Sequence, residues 1–585
     1  MAEKIRDDIS QLLNRVYPGA DLPTLTDAVI QAFWPTGLPD TQPAQNAAQP
    51  LWSQNDAVLI TYGNTIQDGQ HKPLDVLHDF LLEHVRGVIN SVHILPFFPY
   101  TSDDGFAVTD FRKVDPGLGD WSDIERIGKD FTLMSDLVLN HVSSRGIWFT
   151  EFRQGNTPFD GYFFTASPDN DLSKVVRPRT TPLLREVETV SGLQHVWCTF
   201  SHDQIDLDYS NPNVLLEMLR IMRLHIDKGV RILRLDAVAF LWKEIGTPSI
   251  HMPQTHAIIQ LFRVLVNFAP EPVILLTETN VPKAENLSYF GQSNEAHAIY
   301  NFPLPPLILH AMLSGSARHL RSWQSGMPPA PPTCTYLNFT ASHDGIGMRP
   351  VEGLLPEEEI NKMIDAVLAA GGLISKRALP DGGESVYEIN CGYFPAMVRT
   401  FRGEDNWQFE RFLASQTIVM ALEGIPAFYI HSLLATENDR ESVETRGLNR
   451  AINRHRWDYQ KLRTALDDPQ SNHARVLNAL SQRLALRSLQ PAFHPNATQF
   501  TLPLDERVFG VWRQSQDRRQ SIFALHNVSS SMVELPLSSL NLIADETWID
   551  LLNEETLPLE AEQIQLLPYQ CRWITNLDVT GETKL

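Results

Sequence analysis

Eight short apolar runs, with helical patterns between them, constrain the fold of this chain more than any other feature. The runs are rich in branched aliphatic residues, as strands covered on both faces are. Helical patterns such as LLEMLRIMRLHIDKG (215–229) and THAIIQLFRVLVNFA (255–269) separate neighbouring runs. Strands that alternate with helices form parallel sheets, and eight such units predict a closed (β/α)8 barrel, the TIM barrel. The runs span 57–62, 92–96, 132–140, 230–238, 273–279, 298–302, 335–342 and 426–430.

Two connections are too long to be simple loops, and they predict inserted domains after the third and seventh strands. About 90 residues separate the third and fourth runs, and about 85 separate the seventh and eighth. Connections of that length usually carry function or structure of their own. We therefore predict a catalytic barrel over 51–500 with insertions near 142–228 and 345–420. A helical extension over 1–50 precedes the barrel, and short alternating apolar runs predict an antiparallel β-domain over 501–585.

Two surface segments have alternative interpretations. The segment QLLNRVYPGADLPTLTDAVIQAF (11–33) fits either a dimerisation arm or a helical buttress under the barrel. We favour the buttress, because packed extensions are the commoner case, and we expect a monomer or a homodimer. The charged segment HSLLATENDRESVETRGLNR (431–450), after the eighth strand, predicts a solvated loop, and closure over the acceptor is the alternative.

The composition limits which binding partners and which cellular compartment we expect. The chain has 48 Lys and Arg against 70 Asp and Glu, a net charge of −22, which disfavours binding to nucleic acid or to anionic membranes. Cys198, Cys334, Cys391 and Cys571 form no CxxC pair, so we expect neither a zinc site nor a disulfide framework. No run approaches the ~18–20 apolar residues that span a bilayer. The charged N-terminus is not a signal peptide, and we expect a cytoplasmic protein.

Charged and polar residues stand at the carboxyl ends of five predicted strands. The fourth run ends with Arg234 and Asp236, which point to the same face because they are two residues apart. Such a pair alone is also typical of a structural ion pair. In a barrel, however, the carboxyl ends of all strands share one rim, where active sites lie. The other residues at these ends are Asp103, Asp104, Phe106, Asp136, Asn140, His141, Glu278, His343 and Asp344.

Three carboxylates of this set fit the cleavage of a glycosidic bond, which requires a nucleophile or base and a general acid. Arg234 beside Asp236 favours an ionised carboxylate, as a nucleophile requires. The apolar run before Glu278 predicts desolvation and a raised pKa, as a general acid requires. Asp344 would be the third group, holding sugar hydroxyls and stabilising charge at the anomeric carbon.

Four motifs, DLVLNH, RILRLDAVA, TETN and ASHD in this order, resemble the signature regions of the alpha-amylase family, glycoside hydrolase family 13. The resemblance covers roughly residues 55–500 and implies a retaining enzyme that acts on α-glucosides. It assigns the nucleophile to Asp236, the acid/base to Glu278 and the transition-state stabiliser to Asp344. The residues that it assigns to holding the nucleophile and the sugar are Arg234, His141 and His343.

Further segments, among them HILPFFPYTSDDGF, VRPRTTPLL and ASHDGIG, are similar to the sucrose phosphorylase branch of that family. This implies that inorganic phosphate, as co-substrate and without a cofactor, attacks a covalent glucosyl-enzyme and yields α-glucose 1-phosphate. Arg179 matches an arginine that binds phosphate, and a guanidinium fork suits that anion. Asp103 and Arg454 match residues that clasp the glucosyl unit, and Phe106 and Phe200 match its aromatic walls.

Calcium binding is the alternative interpretation of Asp136 and Asn140, because an Asn in this region binds calcium in some amylases. Calcium takes six or more oxygen ligands. The sequence has no Asp-rich loop that would supply the remainder. We therefore predict no metal site.

The residues expected to contact the acceptor, which is the group released from the donor sugar, differ from those of sucrose phosphorylase. The loop GGESVYEINCGYF (382–394) keeps Tyr387 but has Ser385 and Glu388 where that enzyme has Asp and Gln, and Asn280 stands where it has His. Exchanged hydrogen-bonding groups at a polar subsite change specificity strongly. These segments resemble phosphorylases of the branch that act on glucosylglycerate, which implies release of glycerate. Sucrose or glucosylglycerol as donor, and hydrolysis or transglucosylation as reaction, are the alternatives.

Glycerate is an anion, so its pocket should contain a cation. Glu388 beside a substrate carboxylate would be unfavourable unless it is paired or points away. The sequence alone does not choose among the candidate cations, and Arg177 and Arg179 by themselves would predict only an exposed basic loop. The candidates are Arg177, Arg179, Lys243 and Arg349.

Overall fold

Eight parallel strands close into a barrel in a computed structural model, which describes residues 2–38, 51–378, 383–540, 542, 547–557 and 562–577. Each strand pairs with its neighbours along the chain, and the last pairs with the first. Every predicted apolar run overlaps one of them, so the predicted TIM barrel is confirmed. The strands are β1 (Val58–Thr61), β2 (Ser91–Ile94), β3 (Thr132–Val138), β4 (Val230–Asp236), β5 (Ile274–Thr277), β6 (Ala298–Tyr300), β7 (Thr335–Asn338) and β8 (Ile425–Tyr429).

Helices between the strands form the outer layer, and their starts follow local sequence rules. A proline in the first turn, where no backbone N–H partner is lost, begins the helices at Pro73, Pro212 and Pro253. Asp120 forms a capping box with Asp123. The helices of the layer are Pro73–His84, Trp121–Asp130, Pro212–Asp227, Pro253–Asn267, Lys283–Ser288, Leu304–Ser314, Arg318–Ser325, Gln408–Ala421, Tyr459–Asp467 and Asn472–Ser488.

The two long connections contain secondary structure of their own. After β3, a hairpin of Leu184–Thr189 and Gly192–Trp197 forms, and His141–Ser143 pairs antiparallel with Gln204–Asp206. After β7, a three-stranded antiparallel sheet forms, and the helix Glu357–Ala369 lies in the chain between its first strand and the other two. The strands of that sheet, in spatial order, are Ile346–Gly347, Glu384–Asn390 and Leu373–Ala378.

The N-terminal extension packs on the outside of the barrel. Helix Ala2–Val16 lies against Pro253–Asn267, and helix Leu22–Phe33 lies against Pro212–Asp227. The first helix buries one apolar face, and Arg15 Nη1 donates to Gln260 Oε1 at 2.7 Å. This is the packing that the buttress interpretation predicts. The Pro/Gln/Ala-rich link predicted up to residue 50 lies, from residue 39 onward, outside the described residues.

A six-stranded antiparallel sheet follows the barrel, and the predicted C-terminal β-domain is confirmed. Arg513 joins it to the barrel, since its guanidinium donates to the carbonyl oxygens of Ala421 and His494, both at 2.8 Å. Residues 578–585 lie outside the described residues. The described residues form no helix with the length and apolarity that a membrane crossing requires. In spatial order the strands are Thr498–Thr501, Val508–Gln514, Ser521–Asn527, Cys571–Thr575, Ile549–Asp550 and Glu555–Thr556.

Candidate active site

One cavity at the carboxyl ends of the barrel strands gathers nearly all predicted site residues. The strand ends and both long insertions contribute to its wall, so groups far apart in the sequence face one space. Gln204, Asn280, Glu388 and Arg450 also line it. The predicted residues in the wall are Asp103, Phe106, His141, Arg179, Phe200, Arg234, Asp236, Glu278, His343, Asp344 and Tyr387.

The charged end of β4 is organised by its neighbour β3. The parallel register places Asp136 directly beside Arg234. Arg234 Nη1 donates to Asp136 Oδ1 and to Asp236 Oδ1, both at 2.6 Å, and His93 Nε2 lies 2.7 Å from Asp136 Oδ2. The ion pair between Arg234 and Asp136 is buried inside the barrel, whereas Asp236 faces the cavity. Arg234 thus takes part both in a structural ion pair and in the site.

Burial raises the pKa of the Glu278 carboxyl, as the apolar run before it predicted. Burial also raises the pKa of Asp236, against the opposing effect of Arg234. Two neighbouring buried carboxyls of this kind share a proton. Arg234 hydrogen-bonds Asp236 but lies 4.0 Å from Glu278 Oε1, which favours the ionised form of Asp236 and the protonated form of Glu278. Glu278 Oε2 accepts from the Ala237 N–H at 3.0 Å, which fixes its orientation.

Arg450, which the sequence analysis did not single out, holds the third carboxylate. Its Nη1 lies 2.5 Å from Asp344 Oδ1. Burial raises the pKa of Asp344, but Arg450, His343 and Arg454 together hold that pKa well below its usual range. Asp344 is therefore ionised. The segment 431–450, predicted as a solvated loop, in fact carries Arg450 into the site.

The same arginine neutralises Glu388. Its Nε and Nη2 donate to the two carboxylate oxygens of Glu388 at 3.0 and 2.7 Å, a bidentate pair. Asn390 Nδ2 adds a hydrogen bond at 2.5 Å. Although burial raises the pKa of Glu388, Arg450 lowers it below the usual range. Glu388 is thus paired, which removes its predicted conflict with an anionic substrate.

Neutral histidines and phenylalanines form the inner wall. The Phe106 ring stacks on His343 with centroids 5.0 Å apart, and His141 Nε2 lies 3.0 Å from the Phe106 carbonyl oxygen. Burial lowers the pKa of His343 to about 3 and that of His141 below its usual value. Both rings are neutral near pH 7 and suit hydrogen bonds to hydroxyls. Gln204 Nε2 donates to Asp103 Oδ2 at 3.3 Å, and Phe200 packs obliquely on His141.

Arg454 lies next to the inner wall and pairs with Asp104. Its Nε donates to the His343 carbonyl oxygen at 2.8 Å and its Nη1 donates to Asp104 Oδ2 at 2.5 Å. It borders a small neighbouring cavity instead of the main one, and its Nη2 lies 3.8 Å from Asp344 Oδ1. Its Nη2 has no hydrogen-bond partner among the described residues, so a contact with the sugar does not require the pair with Asp104 to open. The structure therefore places Arg454 behind His343 and Asp344, and its contact with the glucosyl unit stays a prediction.

A second cavity, of about 700 Å³, adjoins the first on the acceptor side. Glu278, Asn280 and Tyr387 border both spaces. Arg179 does so as well, with its guanidinium 5.3 Å above the Tyr387 ring. The second cavity is also lined by Arg177, Arg349 and Arg377.

Lys243 is wrong as a candidate for the cation of the acceptor pocket. Its ammonium is buried, donates to Asn140 Oδ1 at 2.7 Å and lies 3.0 Å from Asp206 Oδ2. A calcium ion bound by Asn140 would have to displace this ammonium. The amide that suggested calcium is thus engaged by a residue of the chain itself.

A parallel barrel whose rim collects three carboxylates, two neutral histidines and several arginines in one cavity has the architecture of an alpha-amylase-type enzyme. The family model described as "Alpha amylase, catalytic domain" matches residues 82–327.

Comparison with similar proteins narrows the class of enzyme further. A glucosylglycerate phosphorylase of Spirochaeta thermophila (strain ATCC 700085 / DSM 6578 / Z-1203) is 42% identical over 580 residues, covering 97% of this chain and 98% of the relative. A glucosylglycerate phosphorylase of Escherichia coli (strain K12) is 38% identical, covering 89% and 92%. The crystal structure of sucrose 6F-phosphate phosphorylase from Thermoanaerobacter thermosaccharolyticum shares the fold, with a TM-score of 0.71, 24% identity and coverage of 88% and 98%. The chain belongs to the alpha-amylase family, glycoside hydrolase family 13, and to the phosphorylases within it.

Proposed function

We propose that this enzyme transfers the α-glucosyl unit of 2-O-α-glucosylglycerate to inorganic phosphate and releases α-glucose 1-phosphate and glycerate. The charge arrangement on the acceptor side carries the proposal. Arg450 binds Glu388 in a bidentate pair, so this carboxylate does not face the acceptor unpaired. Arg179 and Arg349 line the adjoining cavity, and within the described residues neither forms a salt bridge with a carboxylate.

An arginine-lined acceptor cavity favours an anionic leaving group over a neutral one. Guanidinium groups bind carboxylates in a planar, two-pronged geometry. Fructose and glycerol carry no charge and would leave these guanidinium groups without an anion. The relatives at 42% and 38% identity, both glucosylglycerate phosphorylases, support the same donor.

The first step builds the covalent glucosyl-enzyme. Asp236, ionised, attacks the anomeric carbon while the bond from that carbon to the glycerate oxygen breaks. Glu278 gives its proton to the departing oxygen. Asp344, also ionised, stabilises the positive charge that develops on the sugar ring.

In the second step phosphate replaces glycerate in the cavity. Glu278, now ionised, accepts the proton of hydrogen phosphate while a phosphate oxygen attacks the anomeric carbon and the bond to Asp236 breaks. Two displacements at one carbon retain its configuration. Arg179 lies beside Tyr387 at the junction of the two cavities, where it would hold the incoming phosphate. No cofactor takes part in either step.

The test is the rate of glucose 1-phosphate release from glucosylglycerate, glucosylglycerol and sucrose, each with and without phosphate. We expect kcat/KM for glucosylglycerate to exceed the others by about a hundredfold or more, since unpaired polar groups at a subsite penalise the wrong substrate. A higher kcat/KM for sucrose would refute the acceptor assignment. Equal release of free glucose without phosphate would refute the phosphorylase assignment for this chain.

A further inference from the structure

A second cluster of potential ligands lies among the outer helices, away from the residues that line the two cavities. His310 belongs to the barrel helix Leu304–Ser314, His319 to the helix Arg318–Ser325, and Glu359 to the helix Glu357–Ala369 of the insertion after β7. One ligand atom of each residue lies within 4.8 Å of the others. We propose that these three residues form a binding site for a divalent transition-metal ion of the zinc type.

The distances within the cluster can be compared with those of a tetrahedral site. Both imidazoles point their Nε2 atoms at the same oxygen, Glu359 Oε2, at 2.6 Å from His310 and 3.2 Å from His319. With bonds of ~2.0–2.1 Å, the ligand atoms of a tetrahedral zinc ion lie roughly 3.3 Å apart. The His319 separation already matches this value. His310 and Glu359 must separate by roughly 0.7 Å, which a rotation of the partly exposed Glu359 side chain can supply.

The donor set selects the class of ion. Two imidazole nitrogens and one carboxylate oxygen suit zinc and its neighbours. Calcium and magnesium prefer six or more oxygen ligands, and only one carboxylate is present in the cluster. The His310 side chain is 1% exposed, whereas those of His319 and Glu359 are 19% and 34% exposed. Water therefore has access to the open fourth position.

Such an ion would join two parts of the fold that the acceptor side depends on. Glu359 belongs to the same insertion as the strand Glu384–Asn390, which carries Tyr387 and Glu388 into the cavity. His310 lies on the barrel helix that also contacts the strand Ile346–Gly347. The proposed ion would bind the insertion to the barrel wall. Its role would be structural, because none of its ligands lines either cavity.

Ligands far apart in sequence explain why the composition pointed to no metal. His310, His319 and Glu359 are separated by nine and forty residues and form no recognisable ligand motif. Only the packing of three helices brings them together.

The experiment is a Co²⁺ titration of the full, tag-free chain after EDTA treatment, followed by visible absorption, with Zn²⁺ competition and elemental analysis for stoichiometry. We expect one equivalent of Co²⁺, displaced by Zn²⁺. His319→Ala and Glu359→Gln should each weaken binding by a factor of about ten or more, since even outer-sphere changes cost that much. His71→Ala is the matched control, because His71 forms an exposed pair with Asp68 at 2.5 Å, an isolated imidazole–carboxylate contact.

Thermal unfolding supplies an independent measurement. For 585 residues, Zn²⁺ at a hundredfold excess over its Kd should raise Tm by roughly 2 °C, and this shift should vanish in His319→Ala. Circular dichroism and retained glucose 1-phosphate release would show that the variants fold. The absence of 1:1 binding in the wild type, or unchanged affinity in both folded variants, would overturn the proposal.

Discussion

The strongest prediction concerns Arg450, the arginine shared by Asp344 and Glu388. Replacing it with methionine keeps a similar length but removes the cation that lies 2.5 Å from Asp344 and binds both oxygens of Glu388. Two buried carboxylates then lose their nearest positive charge. Glu388→Gln and Arg446→Gln are the accompanying variants, because Arg446 is on the same loop but pairs with Asp104 outside the site.

The magnitude follows from the burial of the pair. Removing one partner of a buried ion pair costs about 3–5 kcal/mol, because the remaining charge is uncompensated. If that cost appears in the transition state, kcat/KM falls by roughly 10²–10⁴-fold, at 1.4 kcal/mol for each factor of ten. Arg446→Gln should change kcat/KM by less than about threefold, since its side chain is 31% exposed and Asp104 keeps its ion pair with Arg454.

The pH dependence gives a second readout of the same variant. In the wild type the pKa of Asp344 lies below its usual range, so the carboxylate stays ionised through the neutral region. Without Arg450, burial dominates and raises that pKa. Asp344 then takes up a proton at a higher pH as the solution is acidified, so the acid limb of kcat/KM should move to higher pH. The deficit should be smaller in alkaline solution.

The assay is initial-rate glucose 1-phosphate release across pH, for the single variants and for the double variant Arg450→Met/Glu388→Gln. The double variant should recover about tenfold of the lost activity, because one of the two uncompensated charges is gone. If Arg450→Met retains kcat/KM within threefold, or if its pH profile does not move, then Arg450 does not hold Asp344 in the way argued here.

The remaining predictions test individual side chains by the same assay. Asp236→Ala should lose at least about 10³-fold in kcat, as expected for removal of a nucleophile, and survival within tenfold would disprove that role. Arg179→Gln should raise KM for phosphate about tenfold or more and change KM for the donor little. The control Arg177→Gln, at an exposed arginine, should change neither KM. Equal effects of the two variants would contradict the assignment of Arg179 to phosphate. Arg349→Gln should weaken glucosylglycerate turnover about tenfold and leave residual sucrose turnover unchanged, and a uniform loss would show a structural role.

Most of the barrel could be predicted because its sequence signal is local. Each strand is short, apolar and branched, and each is followed by a helical pattern, so the eight runs could be placed without knowing their partners. The convergence of Asp236, Glu278 and Asp344 also followed, because the carboxyl ends of parallel strands meet on one rim. The cavity that these carboxylates share is therefore a consequence of topology.

The contacts that arginines make with residues far away in the sequence could not be predicted in the same way. In the sequence, Arg450 belongs to a charged segment that predicts a loop. Arg450 becomes a partner of Glu388 only because that loop folds over the strand Glu384–Asn390. Arg454 is four residues further on, yet it pairs with Asp104 across the barrel mouth. Lys243 shows the converse case, since it looked available for an anion but is buried against Asn140. A side chain with a long reach has many possible partners, and the sequence does not choose among them.

The pairing of these charges explains how a chain with net charge −22 can bind two anionic substrates. Long-range repulsion between surface charges and a substrate is screened beyond about 8 Å at physiological ionic strength, so the local wall decides binding. In that wall Arg234 is bound to Asp236 and Arg450 to Asp344 and Glu388, so each of these carboxylates has a guanidinium partner before substrate arrives. What remains for phosphate and glycerate are the arginines of the adjoining cavity. Glu388 does not face an anionic acceptor unpaired, because Arg450 binds both of its oxygens, and Arg179 and Arg349 of the adjoining cavity are the proposed partners of the acceptor's charge.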